Sequence, residues 1–370
     1  MARKIEETEE EEQIVLTGVE KEKATDTAKC PSCGANMTFD PEKQLLKCDH
    51  CGSEKSFESS KNEELQFEEL FKVTEKWSDE THVYTCANCG AKEVVSNKEI
   101  AKNCSFCGTS NIVKTDELSG MKPNALVPFK ITLADAAARA VAWAKKRFFA
   151  PRRFKKSVRT DEIKGAYNPA FTFDAATLSS YSGRLGKYHY KTVRVNGRTE
   201  TRREIRYFSI SGIYNFDFDD ILIQASTVIK QKTIDKLQPF DTNDSKKYAE
   251  EFLFGYTANQ YTKDGKECWG EARKVMDRRI RAGILAKYAY DVVDYLNVST
   301  RCENVTYKYL LLPLYIGHFN YGKKLFNYFV NGFNGKVTGR MPVSPLKVLG
   351  VVALGLAAIA GIALLVIYVL

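Results

Sequence analysis

The sequence predicts two small β units, then an α+β domain with a mainly antiparallel sheet, and a long apolar helix at the C-terminus. Three observations lead to this fold class. One cysteine pattern occurs twice in the first third of the chain, and the last 23 residues carry no charge. Between these features, short segments rich in β-branched and aromatic residues are separated by turn signals and by two helical patterns, which favours a mixed architecture.

The repeated cysteine pattern consists of two C-x₂-C pairs separated by fourteen residues. The short gap lets both sulfurs of a pair reach one ion, and the longer gap lets a β-hairpin bring the second pair round. Four thiolates arranged in this way surround Zn²⁺ tetrahedrally, so the two units are predicted to be small β zinc ribbons with one structural zinc each. The predicted ligands are Cys30, Cys33, Cys48 and Cys51 in the first ribbon, and Cys86, Cys89, Cys104 and Cys107 in the second.

A disulfide framework is the alternative interpretation of these cysteines. Disulfides need an oxidising compartment, and the N-terminal residues MARKIEETEE lack the apolar core of a secretory leader. His50 and His82 lie near the cysteines and are the other potential ligands. Four cysteines already fill a tetrahedral site, so neither histidine is expected to bind the metal.

The uncharged run at the end of the chain extends from Val348 to Leu370. As a helix it would be about 35 Å long, enough to cross the hydrocarbon core of a bilayer. Lys336, Arg340 and Lys347 precede it, and the positive-inside rule assigns that flank to the cytosol. We therefore expect a tail-anchored, single-pass protein of the cytoplasmic membrane with its N-terminal bulk in the cytosol. A buried core helix is the alternative.

Small residues recur within this apolar run. Ala353, Ala357 and Gly361 are spaced by four and share one face of the predicted helix. Because small residues let two helices approach closely, a homo-oligomer formed through the transmembrane helix is one expectation. A plain lipid-facing anchor is the alternative, since Gly350 and Gly355 put small residues on other faces.

Composition and spacing divide the chain into successive segments. Residues 1–29 carry nine acids and five bases and few large apolar side chains, which is typical of a disordered tail. The rest of the chain, whose total formal charge is +9, is therefore basic. The predicted segments are an acidic tail over 1–28, zinc ribbon 1 over 29–57, a linker with a short amphipathic helix over 58–81, zinc ribbon 2 over 82–113, the α+β domain over 123–342 and a transmembrane anchor over 346–370.

Within the α+β domain, Thr132 and Asp135 indicate the N-terminus of a helix over about 133–149. Apolar periodicity predicts a second helix over 270–290. The dipeptide Asn196-Gly197 favours a hairpin turn between two strands. The predicted strands fall within 171–226, 310–316 and 324–330.

Two further features bear on function. Eight bases and no acid lie between Lys145 and Arg159, which makes this patch the best candidate for contact with phosphate, either of lipid or of nucleic acid. A solvated surface balanced by acids elsewhere is the alternative. Cys268 and Cys302 have no nearby histidine that would form a nucleophilic pair, so no enzymatic activity is expected.

Six stretches of the α+β segment resemble a known family. They are VPFKIT at Val127–Thr132, RFFAPRRFKK at Arg147–Lys156, YNPAFTFDA at Tyr167–Ala175, SGIYNFDFDDILIQAS at Ser211–Ser226, YLLLPLYIG at Tyr309–Gly317 and FVNGFNGKVTGRMP at Phe329–Pro342. Together with the two ribbons they are similar to bacterial double-zinc-ribbon membrane proteins, labelled transcription-factor-IIB-type or primosomal-helicase-like. The helicase label does not carry over, because the chain lacks the G-x₄-G-K-[ST] phosphate loop. Phe171 and Tyr315 stand where many relatives have Trp, which indicates packing roles.

The resemblance implies an adaptor. Some members of that family are encoded beside phage-shock-protein-A-like and flotillin-like proteins and recruit them to the membrane. We therefore expect a membrane-anchored adaptor for cytosolic partners in an envelope stress response, with membrane lipids and proteins of those two types as its partners. The alternative is a nucleic-acid-binding zinc-ribbon protein tethered to the membrane, since zinc ribbons and the Lys145–Arg159 patch suit phosphate.

Overall fold

The computed structural model describes residues 29–72, 81–96, 104–109, 112–115, 121–158, 163–195, 198–321 and 324–369. The predicted acidic tail and the Asn196-Gly197 turn lie outside these ranges. The strands are β1 (Met37–Asp40), β2 (Leu45–Cys48), β3 (Glu54–Lys55), β4 (Leu65–Gln66), β5 (Thr81–Cys86), β6 (Lys92–Ser96), β7 (Ile112–Thr115), β8 (Ala125–Leu126), β9 (Ile163–Val195), β10 (Arg198–Phe218), β11 (Ile223–Gln224), β12 (Lys246–Lys247), β13 (Thr257–Asn259), β14 (Val292–Tyr321), β15 (Lys324–Asn331) and β16 (Val337–Gly339). The helices are α1 (Leu133–Lys145), α2 (Arg152–Ser157), α3 (Gln231–Leu237), α4 (Gly265–Leu285) and α5 (Pro345–Val369).

The centre of the fold is the antiparallel pair β9 and β14. Their register runs from Ile163 opposite Gly317 to Gly186 opposite Val292, with two irregularities along β14. β10 pairs with the second half of β9, and β15 pairs with the last eight residues of β14. Short parallel pairings add β8 and β13. The prediction of a mainly antiparallel sheet is therefore confirmed, and the predicted strand pair at 310–316 and 324–330 belongs to one hairpin.

Helix α4 covers one face of this sheet. Its apolar residues, Met276 and Ile280 among them, pack against Phe173, Tyr309 and other residues of β9 and β14 in one core cluster. The predicted range of 270–290 is shifted, because the helix begins at Gly265. Asp264 accepts the backbone N–H of Glu267 at 2.8 Å in a reciprocal capping box, which fixes the earlier start.

Helix α1 begins where the sequence predicts, because Thr132 Oγ1 accepts the backbone N–H of Asp135 at 3.2 Å. It ends at Lys145, whereas the predicted helix continued to 149. Residues 147–150 form a turn instead, and α2 follows directly after Pro151. The residue before a proline avoids the helical region, so the chain is not helical just before Pro151. Helix α2 lies beyond the predicted range and was missed.

The linker also departs from the prediction. In its described part there is a short strand, β4, followed by a single 3₁₀ segment over Phe67–Phe71, rather than an amphipathic α-helix. Leu65 and Gln66 pair with Tyr307 and Thr306 of β14, so tertiary pairing overrides the local helical pattern. Residues 73–80 lie outside the described ranges.

Helix α5 is long and apolar enough to be a membrane span. Its window Pro345–Val366 has a mean hydropathy of 2.7, and none of it is buried against the rest of the chain. A buried core helix, the alternative left open by the sequence, does not fit this exposure. Among the described residues, α5 is the one helix with these properties.

Candidate metal centres

The four cysteine pairs share one backbone geometry. In each pair the glycine after the second cysteine donates its N–H to the carbonyl of the first cysteine, at 2.8 to 3.0 Å. These glycines adopt φ between +70° and +74°, a region that disfavours residues with a Cβ. They are Gly34, Gly52, Gly90 and Gly108. The resulting tight loop turns both thiols of a pair towards one point.

The two hairpins bring the predicted ligands together. Within each group of four cysteines, all sulfur atoms lie within 4.8 Å of one another. The sulfur–sulfur separation is 3.4 Å for Cys30–Cys51, and 3.6 Å for Cys33–Cys48, Cys86–Cys107 and Cys89–Cys104. Ligands about 2.3 Å from a tetrahedral zinc lie about 3.8 Å apart, whereas a disulfide joins sulfurs at about 2.05 Å. Each group therefore fits one zinc ion.

Ionisation of these thiols explains why a cation suits them. Burial acts to raise the pKa of Cys30, but backbone hydrogen bonds from Ser32 and Cys33 outweigh it and lower that pKa to about 6. In the second group, a hydrogen bond with Cys89 and burial raise the pKa of Cys104. Four thiolates held this close repel one another, and a bound divalent metal would compensate that charge.

The two groups differ in solvent access. In the first, Cys33 and Cys51 are exposed, while Cys30 and Cys48 are buried. In the second, Cys89 is half-buried and its three partners are buried. A chelator therefore has a direct approach to the first group, whereas the second lies inside the protein.

The first ribbon, β1 to β3, packs against the body of the protein. Phe39 contacts Phe252 with ring centroids 5.1 Å apart, and Phe57 approaches the same ring to 4.9 Å. The backbone N–H of Phe39 donates to the carbonyl of Phe254 at 2.9 Å. Gln44 Nε2 donates to the carbonyl of Phe129 at 2.8 Å. The inner face of this ribbon is thus held by apolar contacts and by hydrogen bonds.

The second ribbon, β5 to β7, continues the main sheet. Its strand β6 pairs with β13 of the body, and three of its cysteines share a core cluster with Leu314 and Ile316 of β14. Sequence reasoning missed Glu93, whose side chain is 1% exposed. Its Oε1 accepts the backbone N–H of Ser105 at 2.6 Å, and burial raises its pKa. Glu93 therefore holds the loop between Cys104 and Cys107.

The other residues considered as ligands or nucleophiles lie apart. His50 is exposed and belongs to neither sulfur group. The side chain of His82 is outside the described part. Cys268 lies on α4, where burial raises its pKa to about 12, and Cys302 lies on β14. Among the described residues, each predicted metal site therefore consists of its four cysteines.

A buried charge cluster was also missed from the sequence. Lys308 is 4% exposed, and its Nζ lies 3.1 Å from Glu64 Oε1 and 2.9 Å from Asp220 Oδ1. Asp174 accepts hydrogen bonds from the backbone N–H of Asp220 and from Thr306 Oγ1. Burial and Glu64 raise the pKa of Asp174 to about 7, against the lowering effect of the Asp220 backbone N–H. The cluster ties the linker to the two central strands. The sequence feature that could have indicated this cluster is the single lysine, Lys308, within the apolar run YKYLLLPLY.

Comparison with known proteins gives one informative relative. The uncharacterized protein YdjG of Bacillus subtilis (strain 168) is 30% identical over 322 residues, which cover 86% of this chain and 91% of that protein. No family model matches the chain, and no solved structure matches it. Identity at this level over nearly the full length of both proteins shows common descent. The chain therefore belongs to the same protein family as YdjG.

Proposed function

We propose that this protein is a membrane-anchored zinc-ribbon adaptor that recruits cytosolic partner proteins to the membrane. The observation that carries the proposal is an exposed face of aromatic and basic residues on β9 and β10, beside one end of β14. The candidate anchor lies near the other end of β14. We call the first feature the distal ribbon, defined as residues 184–195 of β9 and 198–209 of β10.

The outer face of the distal ribbon is defined by its register. Tyr190 pairs with Arg203, and Tyr207 pairs with Gly186, so their side chains lie on the face opposite Leu185 and Ile210, which are buried towards α4. Tyr190 is 66% exposed and Tyr207 is 48% exposed. Exposed tyrosines of this kind on a regular sheet are typical of surfaces that bind another protein.

The distal ribbon is also strongly basic. Between residues 184 and 207 there are eight lysines and arginines and two glutamates. Arg184 lies over the ring of Tyr207 at 5.0 Å, and Arg203 lies over that of Tyr188 at 4.5 Å. Because Tyr and Arg dominate binding energy at interfaces and opposite charges steer association, the proposed partner is a cytosolic protein with an acidic surface.

The anchor lies at the other end of β14. Phe319, near the end of that strand, contacts Phe154 of α2 at 5.4 Å, and the first turn of α5 bonds to the loop just before α2. From Phe319, β14 runs back 27 residues to Val292, which pairs with Gly186 of the distal ribbon, a contour length of about 90 Å. An adaptor built in this way presents its binding face away from the bilayer.

The zinc ribbons have a supporting role in this proposal. Both pack against the body near the anchored half of β14, through Phe252 in one case and through β13 in the other. Bound zinc would lock these two hairpins, because each is too small to hold a core of its own. The ribbons would thereby stiffen the base from which the distal ribbon extends.

The proposal includes the location and the kind of partner. We infer a single-pass protein of the cytoplasmic membrane with its body in the cytosol, since Lys336, Arg340 and Lys347 flank the apolar helix. The resemblance to double-zinc-ribbon membrane proteins favours partners of the phage-shock-protein-A or flotillin type, in an envelope stress response. The proposal requires no catalytic step.

The test is cross-linking in native membranes with identification by mass spectrometry. The variant Tyr190→Ala/Arg203→Ala removes one cross-strand pair from the outer face and should abolish cross-links to the partner. The matched control is Tyr321→Ala/Lys324→Ala, which removes another tyrosine–base pair at the opposite end of β14 and should leave them unchanged. Equal cross-linking in both variants would refute docking on the distal ribbon.

A second candidate rests on the same face. Exposed Tyr190 and Tyr207 among arginines also suit base stacking and phosphate contact, so the alternative is a nucleic-acid-binding protein tethered to the membrane. A gel shift of the full chain in nanodiscs discriminates the two. Salt-sensitive retardation that disappears in Tyr190→Ala/Arg203→Ala would favour nucleic acid over an adaptor.

A further inference from the structure

We propose that the membrane-facing end of the body docks on anionic lipid headgroups through a basic corner between α1 and α2. The basic corner is defined as residues 145–156. The inference rests on the membrane anchorage proposed above and adds a second contact with the bilayer, made by the folded body rather than by the apolar helix.

The corner is a compact turn that directs its bases outwards. Lys145 ends α1, and the turn between the helices is closed by the backbone N–H of Ala150 donating to the carbonyl of Arg147 at 3.2 Å. Arg147 lies over the ring of Trp143 at 5.0 Å, and Lys155 Nζ donates to the carbonyl of Lys145 at 3.0 Å. The exposed bases are Lys145, Lys146, Arg147, Arg152, Arg153 and Lys156.

Within the described part of the chain, these bases have no acidic counterpart. The stretch 145–156 contains no Asp or Glu. Across the described ranges, none of the ion pairs involves a base of the corner. Arg159 of the predicted patch lies outside those ranges. The sequence left open that acids elsewhere balance this patch. Among the described residues, no such acid pairs with it.

Two phenylalanines stand at the tip of the turn. Phe148 is 63% exposed and Phe149 is 37% exposed, and their rings meet edge to face at 5.3 Å. Large apolar side chains flanked by lysine and arginine are typical of surfaces that enter the boundary between headgroups and acyl chains. A soluble partner of purely anionic character would make no use of these two rings.

The candidate membrane span starts against this corner. Lys347, in the first turn of α5, donates from Nζ to the carbonyls of Phe148 at 2.9 Å and Ala150 at 2.8 Å. The backbone N–H of Ser344 donates to the carbonyl of Phe149 at 2.8 Å. A helix that enters the bilayer at this point would hold the corner at the depth of the phosphates.

A second basic surface flanks the same point on the other side of β15. There, a cavity of about 380 Å³ lies between α3 and the β15–β16 hairpin. Tyr328 of β15 faces α1, stacking on Trp143 at 6.3 Å, whereas Phe329 faces the cavity. Arg340, also at the cavity, lies five residues before Pro345, the first residue of α5. The basic residues that line it are Lys230, Lys232, Lys236 and Arg340.

The position of the basic corner beside the candidate span favours lipid over nucleic acid as its ligand. Both carry phosphate, and both would be attracted by the charge of the corner. A duplex bound here would be pressed against the bilayer and would leave Phe148 and Phe149 in water. Anionic lipid headgroups match the bases, the two rings and the adjoining span at once.

The test uses the full chain in vesicles containing phosphatidylglycerol, with p-benzoylphenylalanine replacing Phe148 as a photo-cross-linker. A DNA duplex is present in the same sample. The matched control carries the cross-linker in place of Tyr190, an equally exposed aromatic residue on the distal ribbon. Flotation with the vesicles establishes insertion before irradiation, and mass spectrometry identifies the adducts.

Lipid adducts at position 148 should exceed those at position 190 by at least about fivefold. They should fall by more than about fivefold when Lys146→Gln, Arg152→Gln and Arg153→Gln are combined, or when phosphatidylcholine replaces the anionic lipid, since each single base contributes about fivefold to attraction. A chain that floats but yields equal adducts at both positions, adducts insensitive to charge, or adducts to DNA overturns the docking and leaves the anchorage intact. A chain that does not float refutes the anchorage, and the docking with it.

Discussion

At the scale of single residues, each group of four cysteines is expected to bind metal as one unit, because a tetrahedral site needs all four thiolates. Cys48 is fully buried at the end of β2. Replacing it, as Cys48→Ser, should lower the zinc content of the purified chain from two ions to one, because three thiolates hold the metal far less tightly. Metal analysis by mass spectrometry measures this.

The matched control for that substitution is Cys302→Ser, which alters a cysteine outside both groups. It should retain two zinc ions. A wild-type chain, kept reduced, that contains fewer than two ions would contradict one of the metal sites outright.

Solvent access predicts the order of metal loss. A chelator should remove zinc in two phases of equal amplitude, and the fast phase should belong to the first group, where Cys33 and Cys51 are exposed. Cys48→Ser should eliminate the fast phase, and Cys104→Ser the slow one. Release followed with a colorimetric zinc indicator resolves the phases, and a slow phase that disappears in Cys48→Ser would reverse the assignment.

The raised pKa of Asp174 predicts that the stability of the protein depends on pH. Burial and Glu64 raise its pKa to about 7 in the folded chain, so its contribution to stability is complete below about pH 4, is lost as the pH rises to about 7, and changes little above that. Asp174→Asn removes this loss. Its melting temperature relative to wild type should therefore increase between about pH 6 and about pH 7.5 and level off above that. Thermal unfolding in detergent measures the difference, and a difference that stays constant with pH would contradict it.

Among single residues, the sequence was sufficient to assign some roles but not others. The spacing of the cysteines was sufficient to group all eight, because the ligands of each site are local in sequence. Glu93 could not be assigned, because the sequence does not show that its side chain turns inward to the Ser105 N–H. Lys308 could not be assigned, because its partners come from distant segments. Lys308 meets Glu64 only when the linker pairs with β14. No local pattern carries that information.

At the scale of elements, the sequence indicated strands within 171–226 but not their continuity. β9 is 33 residues long, although Gly183 and Gly186 suggest interruptions. These glycines serve close packing instead, because a Cβ at Gly183 would lie 2.8 Å from the carbonyl oxygen of Tyr295, and one at Gly186 would lie 2.6 Å from Ile205. A glycine that makes room for a neighbour cannot be told from a turn glycine in the sequence.

Helix α5 makes a prediction of its own. Ala353, Ala357 and Gly361 are exposed along one face, so two copies of the helix should associate there in a bilayer. Ala357→Leu/Gly361→Leu should preserve insertion and reduce cross-linking between copies. Ile359→Ala/Ile362→Ala, on the opposite face of the helix, is the control that should leave cross-linking unchanged. Wild-type helices that never cross-link would show that α5 only anchors.

At the scale of the whole molecule, the prediction was right about the order of modules and silent about their packing. Ribbons, body and apolar helix follow one another as expected. Their assembly was not legible, because the contacts of Phe39 with Phe252 and of β6 with β13 join surfaces remote in sequence. The same holds for the two ends of β14, which separate the candidate anchor from the distal ribbon.

The most direct test of the adaptor proposal is the location of the partner in cells that lack the anchor. The partner is first identified by cross-links to the distal ribbon. Deleting residues 346–370 should move both the protein and this partner from the membrane fraction to the soluble fraction, as measured by quantitative mass spectrometry. A partner that stays on the membrane while the truncated chain becomes soluble would contradict recruitment by this protein.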